Sequence, residues 1–149
     1  MKKLLLIAAL VPVIGLTGCT VIRELPQEEN PVADAQDPQY ELSRQLLEAF
    51  IKDDAKKFVS LLPSETRKIF TEKEFANTRK SVVDSVGQPI SFQYVTKLEL
   101  DALTPHIWKV RFERKGIRKP DEIFHSELLF RVITGDTGKG AVITAFQFL

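Results

Sequence analysis

An α+β fold, with helices first and a single curved antiparallel sheet after them, is predicted by three observations. Apolar residues recur at helical spacing between positions 38 and 87. From position 90 to the end they alternate with polar ones, the period of half-buried strands. The alternating stretches are joined by short connections rich in turn residues, which favours a meander over parallel crossovers. Helices gathered on the apolar face of such a sheet make a two-layer domain. The 149 residues are enough for one domain, and 44% hydrophobic with 28% charged is a globular balance. A net charge of +1 argues against nucleic acid as a partner, because phosphate binding draws on a strong basic excess. One cysteine forms no internal disulfide, and with two histidines it cannot close a four-ligand zinc site. No cofactor is expected.

Asp37 is a natural N-cap with Pro38 at the first helical position, and Leu42, Leu46, Ala49 and Phe50 follow at helical spacing. Asp53 or Asp54 can cap a second, shorter helix whose face is Phe58, Leu61 and Leu62, stopped by Pro63. Thr71 and Glu74 match a capping box ahead of a third helix with Phe75, Val82, Val83 and Val86 as its stripe. Gly87 is placed to end it.

Four strands come next. In 90–100, Ile90, Phe92, Tyr94, Leu98 and Leu100 alternate with Ser91, Gln93, Lys97 and Glu99. In 107–114, Trp108, Val110 and Phe112 oppose Lys109, Arg111 and Glu113. In 123–134, Phe124, Leu128, Phe130 and Val132 share one face, and 141–149 closes the sheet. The connections are then 102–106, 115–122 and 135–140, which gives His106 a plain turn role. The last connection, GDTGKG, fails as a phosphate loop: Ile133 stands where the first glycine belongs, Gly140 replaces the magnesium-binding hydroxyl, and a strand follows.

Ahead of the domain, Met1-Lys2-Lys3 leads into an apolar run from Leu4 to Leu16, broken only by Pro12 and Gly15. As a helix these thirteen residues would span about 20 Å, short of the ~30 Å hydrocarbon core, so 1–18 reads as a signal peptide. The run ends in Leu16, Thr17, Gly18 and Cys19, which resembles the lipobox of bacterial lipoproteins at all four positions. The resemblance implies a diacylglycerol thioether on Cys19, cleavage before it, and a membrane anchor. Thr20, where an aspartate favours inner-membrane retention, implies the outer membrane, facing the periplasm. Residues 19–37 then form a flexible acidic tether with five acidic residues, one basic, and prolines at 26 and 31. The domain from 38 to 149 has 18 basic residues against 15 acidic, a net of +3.

The order of elements in 38–149 is similar to the small NTF2-like α+β domains of bacterial lipoproteins and secreted proteins. The likeness rests on a first helix ending near Asp53-Asp54, a phenylalanine-rich middle, Gly87 before the sheet, and an apolar last strand. A cystatin-like arrangement with one dominant helix is the nearest alternative.

Three sets of residues are candidates for function. His125 and Glu127 lie two apart on one strand face, about 6.5–7 Å from each other, and Arg131 shares that face. In an enzyme of this fold they would be acid and base. The apolar face of the same strand claims the inside, however, so they are expected outside. The inward faces offer Tyr94, Thr96, Ser126 and Thr144 as polar groups of a pocket, with no carboxylate or imidazole among them. Residues 109–119 carry six basic side chains against one acidic. Lys109, Arg111, Lys115, Arg118 and Lys119 there are candidates for contact with anionic lipid or an acidic envelope protein. The expectation is a lipid-anchored, non-catalytic binding or accessory module for an envelope partner or small apolar ligand. The alternative is a cone-pocket enzyme using His125 and Glu127.

Overall fold

The computed structural model describes residues 27–28, 37–98, 100–119 and 121–149. The expected signal peptide, the lipobox-like residues Leu16, Thr17, Gly18 and Cys19, most of the expected tether, and Glu99 of the first predicted strand lie outside the described residues. The elements run β1 (Gln27–Glu28), α1 (Pro38–Ile51), α2 (Ala55–Leu61), α3 (Ser64–Ile69), α4 (Glu72–Val86), β2 (Gln88–Lys97), β3 (Leu103–Lys115), β4 (Ile123–Asp136) and β5 (Ala141–Phe148). The predicted four strands form an antiparallel meander, β2 to β5 in order, under a helical layer. The two residues of β1, within the predicted tether, add in parallel to the open edge of β2, with Gln27 opposite Ser91.

Helix α1 begins as expected: Pro38 follows Asp37, whose carboxylate accepts from the Gln39 N–H at 2.9 Å. It ends in a Schellman turn. Asp53 takes the left-handed conformation at φ 59°, and the N–H groups of Asp53 and Asp54 return to the carbonyls of Phe50 and Ala49. Asp54 then caps α2 by accepting from the Lys57 N–H. Helix α3, which the periodicity does not predict, buries no side chain and so leaves no apolar stripe to detect. At α4 the capping box is half formed: the Thr71 hydroxyl donates to Glu74 instead of accepting from the backbone.

Three departures in the sheet have local causes. Pro105 and His106 belong to β3, not to the hairpin loop, which is 98–102. The Pro105 carbonyl accepts from the Leu98 N–H, and its nitrogen faces the same side just past the end of β2. The missing donor therefore falls where the β2–β3 ladder ends. Leu98 and Leu100, predicted as core, are exposed at that loop. Second, the register of β2 shifts between Tyr94 and Thr96, so Val95 is an extra residue. Thr96 thereby turns outward opposite Ile107, and Lys97 comes to the helix side opposite His106. Third, a shift in β5 leaves Thr144 extra and exposed, while Ile143, Phe146 and Phe148 face Thr134, Val132 and Phe130.

Gly87 joins α4 to β2 at φ 101°, donating its N–H to the Val83 carbonyl. A Cβ here would lie 2.2 Å from the Glu113 carbonyl oxygen, a backbone atom of β3. Gly87→Ala should therefore cost more than about 3 kcal/mol in urea denaturation, since strain and a backbone clash add. Gly138→Ala, at φ 74° with nothing within 4 Å, should cost only about 1 kcal/mol.

Candidate functional site

Two sites lie between the helices and the sheet, one polar and one apolar. The polar one begins at Trp108, fully buried on β3. Its indole N–H donates to Ser43 Oγ at 3.3 Å, and the Ser43 hydroxyl donates to the Tyr40 carbonyl. The Tyr40 and Tyr94 rings lie 5.4 and 4.8 Å from the Trp108 ring, centroid to centroid. Two residues up the strand, His106 is equally buried. Tyr94 Oη lies 3.2 Å from its Nδ1, and Nε2 lies 3.2 Å from Thr134 Oγ1. Thr134 in turn is within donating distance of Gln39 Oε1 and the Thr104 carbonyl. A neutral ring with its proton on Nε2 satisfies every partner: Tyr94 donates to Nδ1, Nε2–H donates to Thr134, and Thr134 donates onward. An imidazole thus stands on the inner face, where the sequence placed none.

At the edge of this network Asp37 meets Lys97 Nζ at 3.4 Å. Burial pushes the Asp37 carboxyl up, but the Gln39 N–H and Lys97 outweigh it and hold it below 3.8. Burial likewise holds the His106 imidazole below its ordinary 6.5.

The apolar site is a cavity of about 300 Å³. Phe50 of α1, Phe58 of α2, Phe70 before α4, and Phe75 and Val82 of α4 form one side; Phe130, Phe146 and Phe148 of β4 and β5 form the other. Seven of the ten phenylalanines in the chain line it. They brace one another: Phe130 and Phe148 are 4.7 Å apart, Phe58 and Phe75 4.8 Å, and Phe58 and Phe146 5.1 Å at near right angles. Thr78 and Gln147 are the polar lining residues, both exposed, and none of the lining groups titrates between pH 2 and 12. One wall is clamped by Arg79. Its guanidinium donates to the Phe50 and Ile51 carbonyls at the end of α1 and lies 3.3 Å from Asp53. Helix α4 is thereby tied to α1, and only Phe75 of its apolar stripe is fully buried. Val82 and Val86 remain half-covered, and Val82 lines the cavity.

The candidate residues from the sequence lie elsewhere. Tyr94, Thr96 and Ser126 do not share a pocket. Tyr94 joins the aromatic cluster, and Thr96 is exposed, bonding the Lys97 carbonyl. Ser126 sits opposite Phe112, four positions or about 13 Å along β3 from Trp108, the partner of Tyr94. His125 and Glu127 are exposed on the outer face and line no part of the cavity. Glu127 meets Lys109 at 3.8 Å and Arg111 at 3.5 Å, so the outer basic face is partly neutralised within the sheet. Lys115, Arg118 and Lys119 surround the β3–β4 turn, Lys119 paired with Glu122. The ten phenylalanines were the one sequence signal for the cavity, and alternation alone counts such residues as core.

Neither a protein-family model nor a curated protein sequence matches the chain. Solved structures do. A ketosteroid isomerase-like protein from Erwinia carotovora atroseptica superposes with a TM-score of 0.53, at 9% identity, over 74% of this chain and 92% of its own. The fold is NTF2-like. A SEC-C motif containing protein from Rhodopseudomonas palustris superposes at 0.50, with 13% identity, over 71% of this chain and 74% of its own. A SnoaL-like protein from Shewanella denitrificans reaches 0.48 at 12% identity, over 74% and 88%. At such identities the likeness is one of fold alone.

The buried imidazole makes a pH prediction. The unfolded chain takes up a proton near pH 6.5 that the folded state refuses, so stability is full above that value. It falls as pH drops from 6.5 toward the lower folded value. Asp37 and Glu41, both held low, act only within and below the carboxylate range. Melting temperatures between about pH 7.5 and 5.5 should decline less steeply in His106→Asn than in the wild type. Parallel slopes would show that His106 is not the group responsible.

Proposed function

We propose that this chain is a lipid-anchored envelope lipoprotein whose NTF2-like domain binds a small apolar ligand without chemistry of its own. The observation that carries the binding half is the phenylalanine-lined cavity, whose about 300 Å³ lies at the lower end of ligand pockets. Its walls offer dispersion contacts and aromatic edges, with Thr78 and Gln147 at the exposed rim to orient a polar end. No group on them can exchange a proton near neutral pH, which favours holding a ligand over transforming it. The anchoring half rests on Leu16, Thr17, Gly18 and Cys19 behind an apolar run too short to span a bilayer. Two or three acyl chains together hold a protein stably where one is reversible. With Thr20 after the cysteine, the outer membrane facing the periplasm is the proposed location, where apolar molecules in transit need shelter from water.

The neutral dye N-phenyl-1-naphthylamine tests the cavity. Its fluorescence should rise on titration with wild-type protein, and Val82→Phe, which fills the space from α4, should weaken binding about tenfold or more. The same variant should melt no lower than wild type, since filling a void offsets the added bulk. Equal dye binding by both proteins, or none by the wild type, would falsify the ligand reading. For the anchor, Cys19→Ser should abolish incorporation of labelled palmitate; normal labelling of that variant contradicts the lipoprotein reading.

A further inference from the structure

Both ends of the sheet expose aliphatic side chains, and their charges differ. At the β2–β3 end Val95, Leu98, Leu100 and Leu103 are exposed around Asp101, with Glu99 two positions before it in sequence. The nearby cation, Lys97, is engaged by Asp37. At the β3–β4 end Ile117 is 92% exposed, with Ile123 and Phe124 each about half exposed behind it. Arg114, Lys115, Arg118 and Lys119 surround them, against Asp121 and Glu122. Lys119 is paired with Glu122, and Arg114 reaches the Ser85 carbonyl, whereas Lys115 and Arg118 have no carboxylate partner among the described residues. The turn itself is formed: Gly116 donates to the Glu122 carbonyl and Glu122 donates to the Lys119 carbonyl, so Ile117 projects from a closed frame.

Strand β1 says which end the anchor approaches. It runs parallel to β2, with Gln27 opposite Ser91, and Gln88 at the start of β2 lies opposite Glu113. The chain therefore enters β1 from the β3–β4 end, about 10 Å from the start of β2. Eight residue steps separate Gln27 from Cys19, a reach of at most about 28 Å. Gln27 is level with Ser91 and so with Arg111, about 13 Å from the end of β3 at Lys115 and about 26 Å from its start at Leu103, so the β3–β4 end is the nearer one.

We infer that the β3–β4 hairpin is a second membrane contact, in which Ile117, with Phe124 behind it, enters the interface of an anionic bilayer while Lys115 and Arg118 meet its headgroup phosphates. The inference rests on the lipid-anchor reading and adds an orientation to it: the domain stands with this hairpin down and the β2–β3 end away from the membrane. Charge complementarity with an anionic surface selects the basic β3–β4 hairpin over the acidic tip at the other end, and the direction of β1 points the tether to the same end. An aliphatic tip ringed by cations matches a bilayer interface better than an acidic protein, which would leave Ile117 without a partner of its own kind.

The chemistry of the anchor supplies the test. In the lipidated chain the Cys19 sulfur is a thioether, so Ile117→Cys carries the sole free thiol and accepts an environment-sensitive dye. Full-length lipidated protein is placed in vesicles of phosphatidylcholine with phosphatidylglycerol, or of phosphatidylcholine alone, with Ile69→Cys on α3 as a 77% exposed control. The dye at 117 should shift to the blue and be quenched several-fold less by aqueous iodide than the dye at 69. The difference should shrink in the neutral vesicles, in high salt, and in a variant with Lys115, Arg118 and Lys119 changed to glutamate. Equal iodide quenching at both positions overturns the hairpin contact and leaves the anchor reading standing. A dye at 117 open to iodide in vesicles but shielded in native envelope fragments places the hairpin on a protein, and overturns the lipid contact. Mass spectrometry showing no lipid on Cys19 removes the anchor reading and this orientation together.

Discussion

The structure depends on how α1 is fastened across the middle of the sheet. Trp108 stands on β3, which is flanked on both sides by paired strands, and its ring is wholly buried. A buried indole N–H left unbonded costs on the order of a hydrogen bond and its desolvation, so the ring is stable only where Ser43 supplies an acceptor. That one requirement sets the rotation and height of α1 over the sheet. The chain from Tyr94 through His106 and Thr134 to Gln39 extends the same fastening to the start of the helix. Arg79 completes it at the other end by bonding the last carbonyls of α1.

The cavity follows from this arrangement. With α1 held down at both ends, Phe50 is fixed as a wall against Phe130 and Phe148. Helix α4 cannot settle onto the sheet, because Arg79 ties it to α1 and Gly87 pins its far end against the backbone of β3. The space left under Val82 is lined by rings that brace each other edge-on, and rigid rings do not collapse into a gap as flexible side chains would. An apolar opening of this kind is a stable feature of the packing, and the proposed ligand occupies it in place of water.

The candidate sites are thus divided between the two layers and the ends of the sheet. The inner layer holds either a satisfied polar network, with His106 in it and the Asp37–Lys97 pair at its edge, or an apolar cavity. The outer face has its charges matched in part by Glu127. Lys115 and Arg118, without a carboxylate partner among the described residues, lie at the β3–β4 turn, beside the exposed Ile117, Ile123 and Phe124.

Local rules decided much of this protein. The caps at Asp37 and Asp54, the stop at Gly87, the alternation in β3 and β4, and the outward placement of His125 and Glu127 all follow from periods and residue types that act within one element. The resemblance of Leu16, Thr17, Gly18 and Cys19 to a lipobox, on which the proposed anchor rests, is likewise a property of four adjacent residues. What the sequence could not decide depends on partners distant along the chain. Pro105 reads as a turn unless β2 is known to end beside it, and His106 reads as a loop residue for the same reason. The extra residues Val95 and Thr144 change which side chains face inward, because a strand has a period of two and one inserted residue reverses it. Helix α3 escaped because it buries no side chain, and the cavity because seven phenylalanines from three helices, the α3–α4 link and two strands surround it. Apolar periodicity says that a side chain leaves water; only the tertiary structure decides whether it meets another side chain or the edge of an open space.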